Sequence, residues 1–105
     1  MTPVKFIHVD LEPNQIKKQL EPGGPEVYAA FIEALIKIHS FSNMAQLAQD
    51  PGLNWEKLKG GKVFPGTKLP VYTFRITLKW RALCTLQTGP VIQVRAVTTE
   101  HDGTH

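Results

Sequence analysis

The spacing of apolar residues changes from a helical period in the first half of this chain to a strand period in the second half. Apolar side chains first recur every three or four residues, as on one face of an α-helix. These residues are Val27, Phe31, Ala34, Leu35, Ile38 and Phe41. Across residues 72–81 apolar side chains instead alternate with polar and charged ones, which is typical of a half-buried strand. The two patterns predict an α+β fold, with helices packed on a sheet.

Weaker signals precede the long helix. Residues 4–9 contain β-branched side chains and predict a first strand, whereas residues 11–24 are broken by prolines and glycines and predict an irregular or briefly helical stretch. Pro25 and Glu26 suit the first turn of the long helix, because proline needs no amide partner there and an acid complements the helix dipole.

Between the helical and the strand patterns, residues 44–49 predict a short helix capped by Ser42 or Asn43. Residues 60–70 are rich in glycine and proline and predict a mobile loop with exposed lysines.

The C-terminal part predicts a β-meander. Residues 82–87 and 91–97 continue as strands on either side of a turn at Gly89 and Pro90. The pattern alone leaves residues 71–87 either as one long strand or as two strands with an unmarked turn. The element order is therefore strand, helix, helix and meander.

Size and composition indicate one domain spanning residues 1–105, with two layers and a modest core. No stretch approaches the roughly 20 apolar residues needed to cross a bilayer, and the N-terminus lacks the order of a secretion signal, so a cytoplasmic location is predicted. Cys84 is the single cysteine and cannot form an internal disulfide. Its apolar neighbours favour a buried thiol.

Positive charge is concentrated in the second half. Between Glu56 and Glu100 there are eight lysines and arginines and no acid. The net charge is minus three up to and including Glu56 and plus six beyond it. A one-sided cationic surface attracts phosphate backbones, and that attraction weakens as salt rises. Solvated charge that keeps a small domain soluble explains the lysines equally well.

Arg75 and Arg81 share their strand parity with threonines and Lys79, so a sheet would present both guanidinium groups on one polar face. Arginine is the side chain best shaped for bidentate contact with phosphate. More commonly, an arginine in a strand only points outward from a half-exposed sheet and has no binding role. Glu56 stands beside Lys57 and other lysines, and nearby positive charge favours the ionised carboxylate that a proton acceptor needs. A structural ion pair on the surface would explain the position of Glu56 as well.

The C-terminal tail contains His101 and His105, and imidazole donates and accepts protons near neutral pH. Two ligands beside Gly103 make a weak metal site, so no metal is predicted. A frayed, solvated tail is the default interpretation. His8 and His39 fall in apolar segments and are interpreted as core or boundary residues.

Four aromatic residues offer surfaces on which unpaired bases could stack. They are Trp55, Tyr72, Phe74 and Trp80. Filling of a small core is the more common role, and Phe74 and Trp80 are in phase with the apolar side of the strand.

Three motifs in this order and spacing resemble the RelE and YoeB superfamily of bacterial toxins, over roughly the second half of the chain. The motifs are Glu56-Lys57-Leu58-Lys59-Gly60, Tyr72-Thr73-Phe74-Arg75-Ile76 and Lys79-Trp80-Arg81. The resemblance implies a β-α-α-β-β-β fold with helices on a mainly antiparallel sheet, and a turn near Leu78 and Lys79. It also implies cleavage of mRNA by attack of a ribose 2′-hydroxyl on the adjacent phosphate, with neither a metal nor another cofactor.

By resemblance, Glu56 matches the carboxylate that serves as base, Arg81 the arginine that contacts the scissile phosphate, and Arg75 a basic position that also faces RNA. Lys59 matches a commonly basic loop position. The neighbouring cations Lys57, Lys62 and Lys79 would hold backbone phosphates.

The tail departs from the family, because many members end in a tyrosine and this chain has none after Tyr72. His105 fits the spacing of that tyrosine, and His101 is the other candidate for the general acid.

The implied partners are mRNA, the ribosome and a cognate antitoxin protein, with no membrane. Two other functions stay open on the same fold. One is a ParE-like toxin that poisons DNA gyrase by protein contact, and the other is a non-catalytic RNA-binding protein.

Overall fold

A mixed sheet of five strands forms the framework in a computed structural model that describes residues 7–99. The strands are β1 (His8–Leu11), β2 (Glu56–Lys57), β3 (Tyr72–Arg75), β4 (Trp80–Gln87) and β5 (Val91–Thr99). Their order in the sheet is β1-β5-β4-β3-β2. The pair β1–β5 is parallel and the other three pairs are antiparallel, which confirms the mainly antiparallel sheet.

Three α-helices lie between β1 and β2: α1 (Pro13–Leu20), α2 (Gly24–His39) and α3 (Met44–Ala48). A short 3-10 helix, Glu21–Gly23, joins α1 to α2. The predicted stripe on α2 is confirmed, since Val27, Phe31, Ala34 and Ile38 are buried. Asn43 is the cap of α3, because its side-chain oxygen accepts the Gln46 amide at 2.9 Å.

Of the two alternatives for residues 11–24, an irregular or a briefly helical stretch, the helical one is confirmed. A helix of eight residues, α1, buries Ile16 and Leu20, because two apolar residues four positions apart suffice to bury one side of a short helix. The described part of the first strand extends to Leu11, one residue beyond its predicted end near Asp10.

The core lies between the helices and one face of the sheet. The rings of Phe31 on α2 and Phe74 on β3 stack with centroids 6.4 Å apart, and Phe74 has no exposed surface. Cys84 is fully buried, as predicted, and burial raises the pKa of its thiol. His8 and His39 are instead exposed, so their interpretation as core or boundary residues was wrong.

The uncertain segment 71–87 forms two strands. The Ile76 amide donates to the Trp80 carbonyl at 2.9 Å and closes a turn between β3 and β4. The Thr77 hydroxyl accepts the amides of Lys79 and Trp80, so a threonine organises this turn where glycine or asparagine would be expected. Leu78 at its tip is 77% exposed, which explains why an apolar residue here hid the turn from the alternation pattern.

Residues 58–71 leave β2 and return to β3 as a hairpin with its own hydrogen bonds. The Leu58 amide donates to the Val71 carbonyl at 2.9 Å, and the Phe64 amide donates to the Leu69 carbonyl at 3.1 Å. At the tip, the Thr67 hydroxyl donates to the Phe64 carbonyl at 2.8 Å. The segment predicted as a loop thus has defined local structure, and we refer to it as the hairpin 58–71.

No helix within residues 7–99 is both long enough and apolar enough to cross a membrane.

Candidate functional site

The candidate site lies on the sheet face that the helices do not cover, which we call the open face. Strand pairing places Arg75 directly across from Arg81, and Thr73 directly across from both Glu56 and Leu83. Since residues directly opposite each other share a face and alternate residues face the core, these five side chains lie on the open face.

Glu56 and Arg81 meet on the open face. An Nη1–Oε1 distance of 3.1 Å joins the guanidinium to the carboxylate, and the same nitrogen lies 3.5 Å from the Thr73 hydroxyl. The Arg81 side chain is only 16% exposed, whereas that of Glu56 is 53% exposed. The arginine is therefore held by the sheet, and the carboxylate is accessible to solvent.

Arg75 is the direct cross-strand partner of Arg81, so both side chains start from the same face of the sheet. Like charges directly opposite each other in a sheet are about 5 Å apart at their Cβ atoms and repel. Among residues 7–99, Glu56 forms a salt bridge with Arg81. The backbone of Arg75 is fixed independently, because its amide donates to the Leu53 carbonyl at 2.7 Å. The arrangement is suited to binding an oxyanion between two guanidinium groups.

The four candidate lysines lie in three different places. Lys57 is paired with Tyr72 and so lies on the face opposite to Glu56, away from the two arginines. Lys59 and Lys62 are exposed residues of the hairpin 58–71. Lys79 is exposed in the turn between β3 and β4, at the end of the sheet where the arginines lie.

The aromatic candidates do not lie on the open face. Phe74 is in the core, and Trp80 packs against the core, as their phase predicted. Trp55 and Tyr72 stack on each other with ring centroids 5.1 Å apart and an angle of 12° between the rings. Strand alternation places Tyr72 on the helix-covered side, so the arginines have no aromatic platform among these four residues.

Sequence reasoning assigned no role to Arg95 on β5, which lies on the open face. Its Nε atom donates to the Thr85 hydroxyl at 3.0 Å, and its guanidinium carbon lies 5.7 Å from the centroid of the Phe64 ring. Arg95 lies in a β-bulge, because Leu83 pairs with Ala96 and the next residue, Cys84, pairs with Val94. The signal for its face was present in the sequence, since Arg95 alternates with the apolar residues Ile92 and Val94.

His101 and His105 lie outside the described residues. The last described strand residue, Thr99, follows Thr98, which is the direct partner of Arg81. Thr99 therefore lies at the end of the sheet that carries the arginine pair.

The accessible groups of this site can hold an anion and accept a proton. Within residues 7–99, no three side chains of His, Cys, Asp or Glu are grouped so that they could hold a metal ion.

Among solved structures, the crystal structure of an archaeal RelE–RelB complex from Pyrococcus horikoshii OT3 contains a similar chain. The two chains are 18% identical, and the match covers 90% of this chain and 94% of that one with a TM-score of 0.61. A likeness at this identity establishes the fold. The chain has a RelE-like fold, as its motifs implied. No family model and no curated protein matches the sequence.

Proposed function

We propose that this chain is a RelE-like toxin that cleaves mRNA, acting as an endoribonuclease that needs no metal. The observation that carries the proposal is the contact between Glu56 and Arg81 on the open face, with Arg75 as the direct cross-strand partner of Arg81. Glu56 and Arg81 are 25 positions apart in sequence, yet they meet where the helices leave the sheet accessible. A carboxylate beside two guanidinium groups supplies a proton acceptor and a binding site for phosphate.

In the proposed reaction, a ribose 2′-hydroxyl attacks the adjacent phosphorus while Glu56 accepts its proton. The bond between O2′ and phosphorus forms and the bond between phosphorus and O5′ breaks. The products are a 2′,3′-cyclic phosphate and a free 5′-hydroxyl. Arg81 and Arg75 stabilise the negative charge that builds up on the phosphorane oxygens. His101 or His105 donates the proton that O5′ requires.

The contact between Glu56 and Arg81 orients the arginine before substrate binds. Because Arg81 is 16% exposed and also lies near Thr73, its guanidinium has few alternative positions. Such preorganisation favours catalysis, since the groups need not rearrange as charge develops. The more exposed carboxylate of Glu56 remains within reach of a substrate hydroxyl.

The proposal includes mRNA on the ribosome as substrate and a cognate antitoxin as protein partner. The similar RelE chain was crystallised in complex with RelB. An acidic or amphipathic antitoxin segment would complement the arginines of the open face and exclude RNA from it.

Replacement of Arg81 by Ala tests the proposal. We expect RNA cleavage to fall about 100- to 1,000-fold, as for loss of one group that stabilises developing charge, and growth inhibition in cells to disappear. Arg81→Lys should recover only part of the activity, because lysine keeps the charge but loses the fork that matches phosphate. Lys18→Ala, an exposed change on α1, is the matched control. Cleavage by Arg81→Ala at the wild-type rate, with the fold retained by circular dichroism, would end the assignment.

One observation favours a second function, a non-catalytic RNA-binding protein of the same fold. The salt bridge pairs Glu56 with Arg81, which is the arrangement of a structural ion pair as well as of a preorganised site. Salt-sensitive RNA binding without a cyclic-phosphate product would select this alternative. DNA damage with intact mRNA in induced cells would instead indicate a gyrase-directed toxin.

A further inference from the structure

The hairpin 58–71 reaches over the open face and is anchored there. Its two ends join β2 and β3, whereas its Phe64 ring contacts the guanidinium group of Arg95 on β5. Because the Nε atom of this group donates to Thr85 on β4, the contact places Phe64 above β4, one strand beyond the base of the hairpin. Thr85 on β4 is fully buried although it lies on the side without helices, as expected if the hairpin covers it.

Two contacts hold the Arg95 side chain at the anchor: one comes from the sheet below it, and the other comes from the hairpin above it. From below, the fully buried Thr85 accepts a hydrogen bond from Arg95 Nε at 3.0 Å, and this fixes the plane of the guanidinium group. From above, the Phe64 ring lies over the same group at 5.7 Å, within the range of a cation–π contact. The charge of Arg95 is thus used at the anchor, away from the pair formed by Glu56 and Arg81.

The hairpin presents Lys59, Lys62 and Lys68, all of which are exposed. Lys59 follows Glu56 by three residues, so the hairpin begins directly beside the candidate site. The hydrogen bonds from Leu58 to Val71 and from Phe64 to Leu69 lie within the hairpin. They preserve its internal shape even when its tip leaves the sheet. The contact with Arg95 links the tip of the hairpin to the open face.

We propose that Arg95 acts through Phe64 as a positioning residue, which holds the lysines of the hairpin beside the Glu56–Arg81 pair so that they grip the RNA backbone next to the cleaved bond. This inference rests on the proposed function. In this inference, the strength of RNA binding depends on the contact between Arg95 and Phe64, although neither residue touches a phosphate or a reacting atom.

Phe64→Leu tests the inference because it changes no charge. The leucine fills similar space but lacks the aromatic face, so the tip loses its hold on Arg95. The probe is a fluorescent single-stranded RNA with 2′-O-methyl groups throughout, which binds but has no hydroxyl to attack. In single strands, each lost phosphate contact reduces the slope of log K against log salt by about 0.7. If Lys59 and Lys62 both move away, the slope should decrease by about 1.4 and binding in 0.1 M salt should weaken about 10-fold or more.

Cleavage kinetics give a second measurement. We expect Phe64→Leu to raise KM for unmodified RNA while kcat stays near the wild-type value, since binding is lost and the reacting groups are untouched. Phe64→Tyr retains the ring and should restore the wild-type slope and KM. Arg95→Lys, which retains the charge but loses Nε and the planar stack, should reproduce the effect of Phe64→Leu. Val63→Ala is the control, because Val63 is a 49% exposed neighbour in the same hairpin.

The outcomes separate the two proposals. A wild-type slope and a wild-type KM in Phe64→Leu, in a protein that binds and cleaves RNA, would overturn the positioning role alone. A purely structural role of the anchor would lower thermal stability and leave the salt slope unchanged, and it would overturn the inference as well. Failure of the wild-type protein to bind or cleave RNA would remove the proposed function, and the inference with it.

Discussion

Glu56→Gln separates the catalytic role of this carboxylate from its role in the ion pair. The oxygen of Glu56 lies 3.1 Å from a nitrogen of Arg81. At that separation two unit charges attract by about 1.3 kcal/mol in water and by about 5 kcal/mol at an effective dielectric constant near 20. Because Glu56 is 53% exposed, the water-like value applies, and exposed pairs measured in proteins contribute about 0.2–1 kcal/mol.

Glutamine keeps the shape and one acceptor oxygen, so we expect a loss of at most about 1 kcal/mol in the free energy of unfolding. In a domain of this size that loss lowers Tm by no more than about 4–8 °C. Removal of a general base lowers the cleavage rate by about 100- to 10,000-fold, or roughly 3–5 kcal/mol in the barrier. The two expected effects differ by several kcal/mol, and one substitution therefore distinguishes them.

The assay combines thermal unfolding, followed by circular dichroism, with release of cyclic-phosphate product from RNA. Glu33→Gln, the same chemical change on the exposed surface of α2, is the control and should leave both measurements unchanged. Cleavage within a few-fold of wild type in Glu56→Gln would refute the role as base. A loss of stability above about 2 kcal/mol would refute the treatment of the ion pair as a solvent-exposed contact.

Two further predictions concern the framework of the fold. The pKa of Asp50 lies below its usual value of 3.8, chiefly because the Lys37 ammonium group donates a hydrogen bond to its Oδ2 at 2.8 Å. The charged carboxylate therefore stabilises the fold above pH 3.8, and this contribution is lost as the pH falls through the lowered pKa. Asp50→Asn should therefore lower Tm at pH 7 and leave it equal to wild type in acid, and a Tm difference independent of pH would contradict this. In Gly23→Ala, the added Cβ would lie 2.7 Å from Val27 Cβ and 3.0 Å from Trp80 Cε2, so chemical denaturation should show a loss of about 1–3 kcal/mol. An unchanged denaturation midpoint would show that the start of α2 shifts freely.

The elements with strong periodicity could be predicted from the sequence. The stripe of α2 and the alternation of β3 and β4 follow from burial of one face, which is a local property of the pattern. The short strand β2 could not be predicted, because it has only two residues and exists through its pairing with β3. The convergence of Glu56 with Arg81 was implied by resemblance alone, since strand pairing between distant segments leaves no mark on spacing.

The anchor at Arg95 was missed for a different reason. Arg95 faces outward in phase with the buried Ile92 and Val94, but the pattern does not show which groups it contacts on the open face. Its partner Phe64 belongs to a segment rich in glycine and proline. No periodicity in that segment predicts which way a side chain points. Contacts between an irregular segment and a strand depend on the path of the chain through space, and a single sequence gives only weak information about that path.

The charge arrangement on the open face argues for a functional rather than a structural role. A two-layer fold must keep its uncovered sheet face polar, and threonine or glutamine residues meet that requirement at no electrostatic cost. Here Arg75 and Arg81 are direct cross-strand partners, a pairing of like charges that destabilises a sheet. The salt bridge from Glu56 to Arg81 offsets part of this repulsion. A phosphate bound between the two guanidinium groups, as in the proposed function, would offset more of it. Local unfavourable arrangements of this kind are expected where binding or catalysis, and not stability, determines the residues.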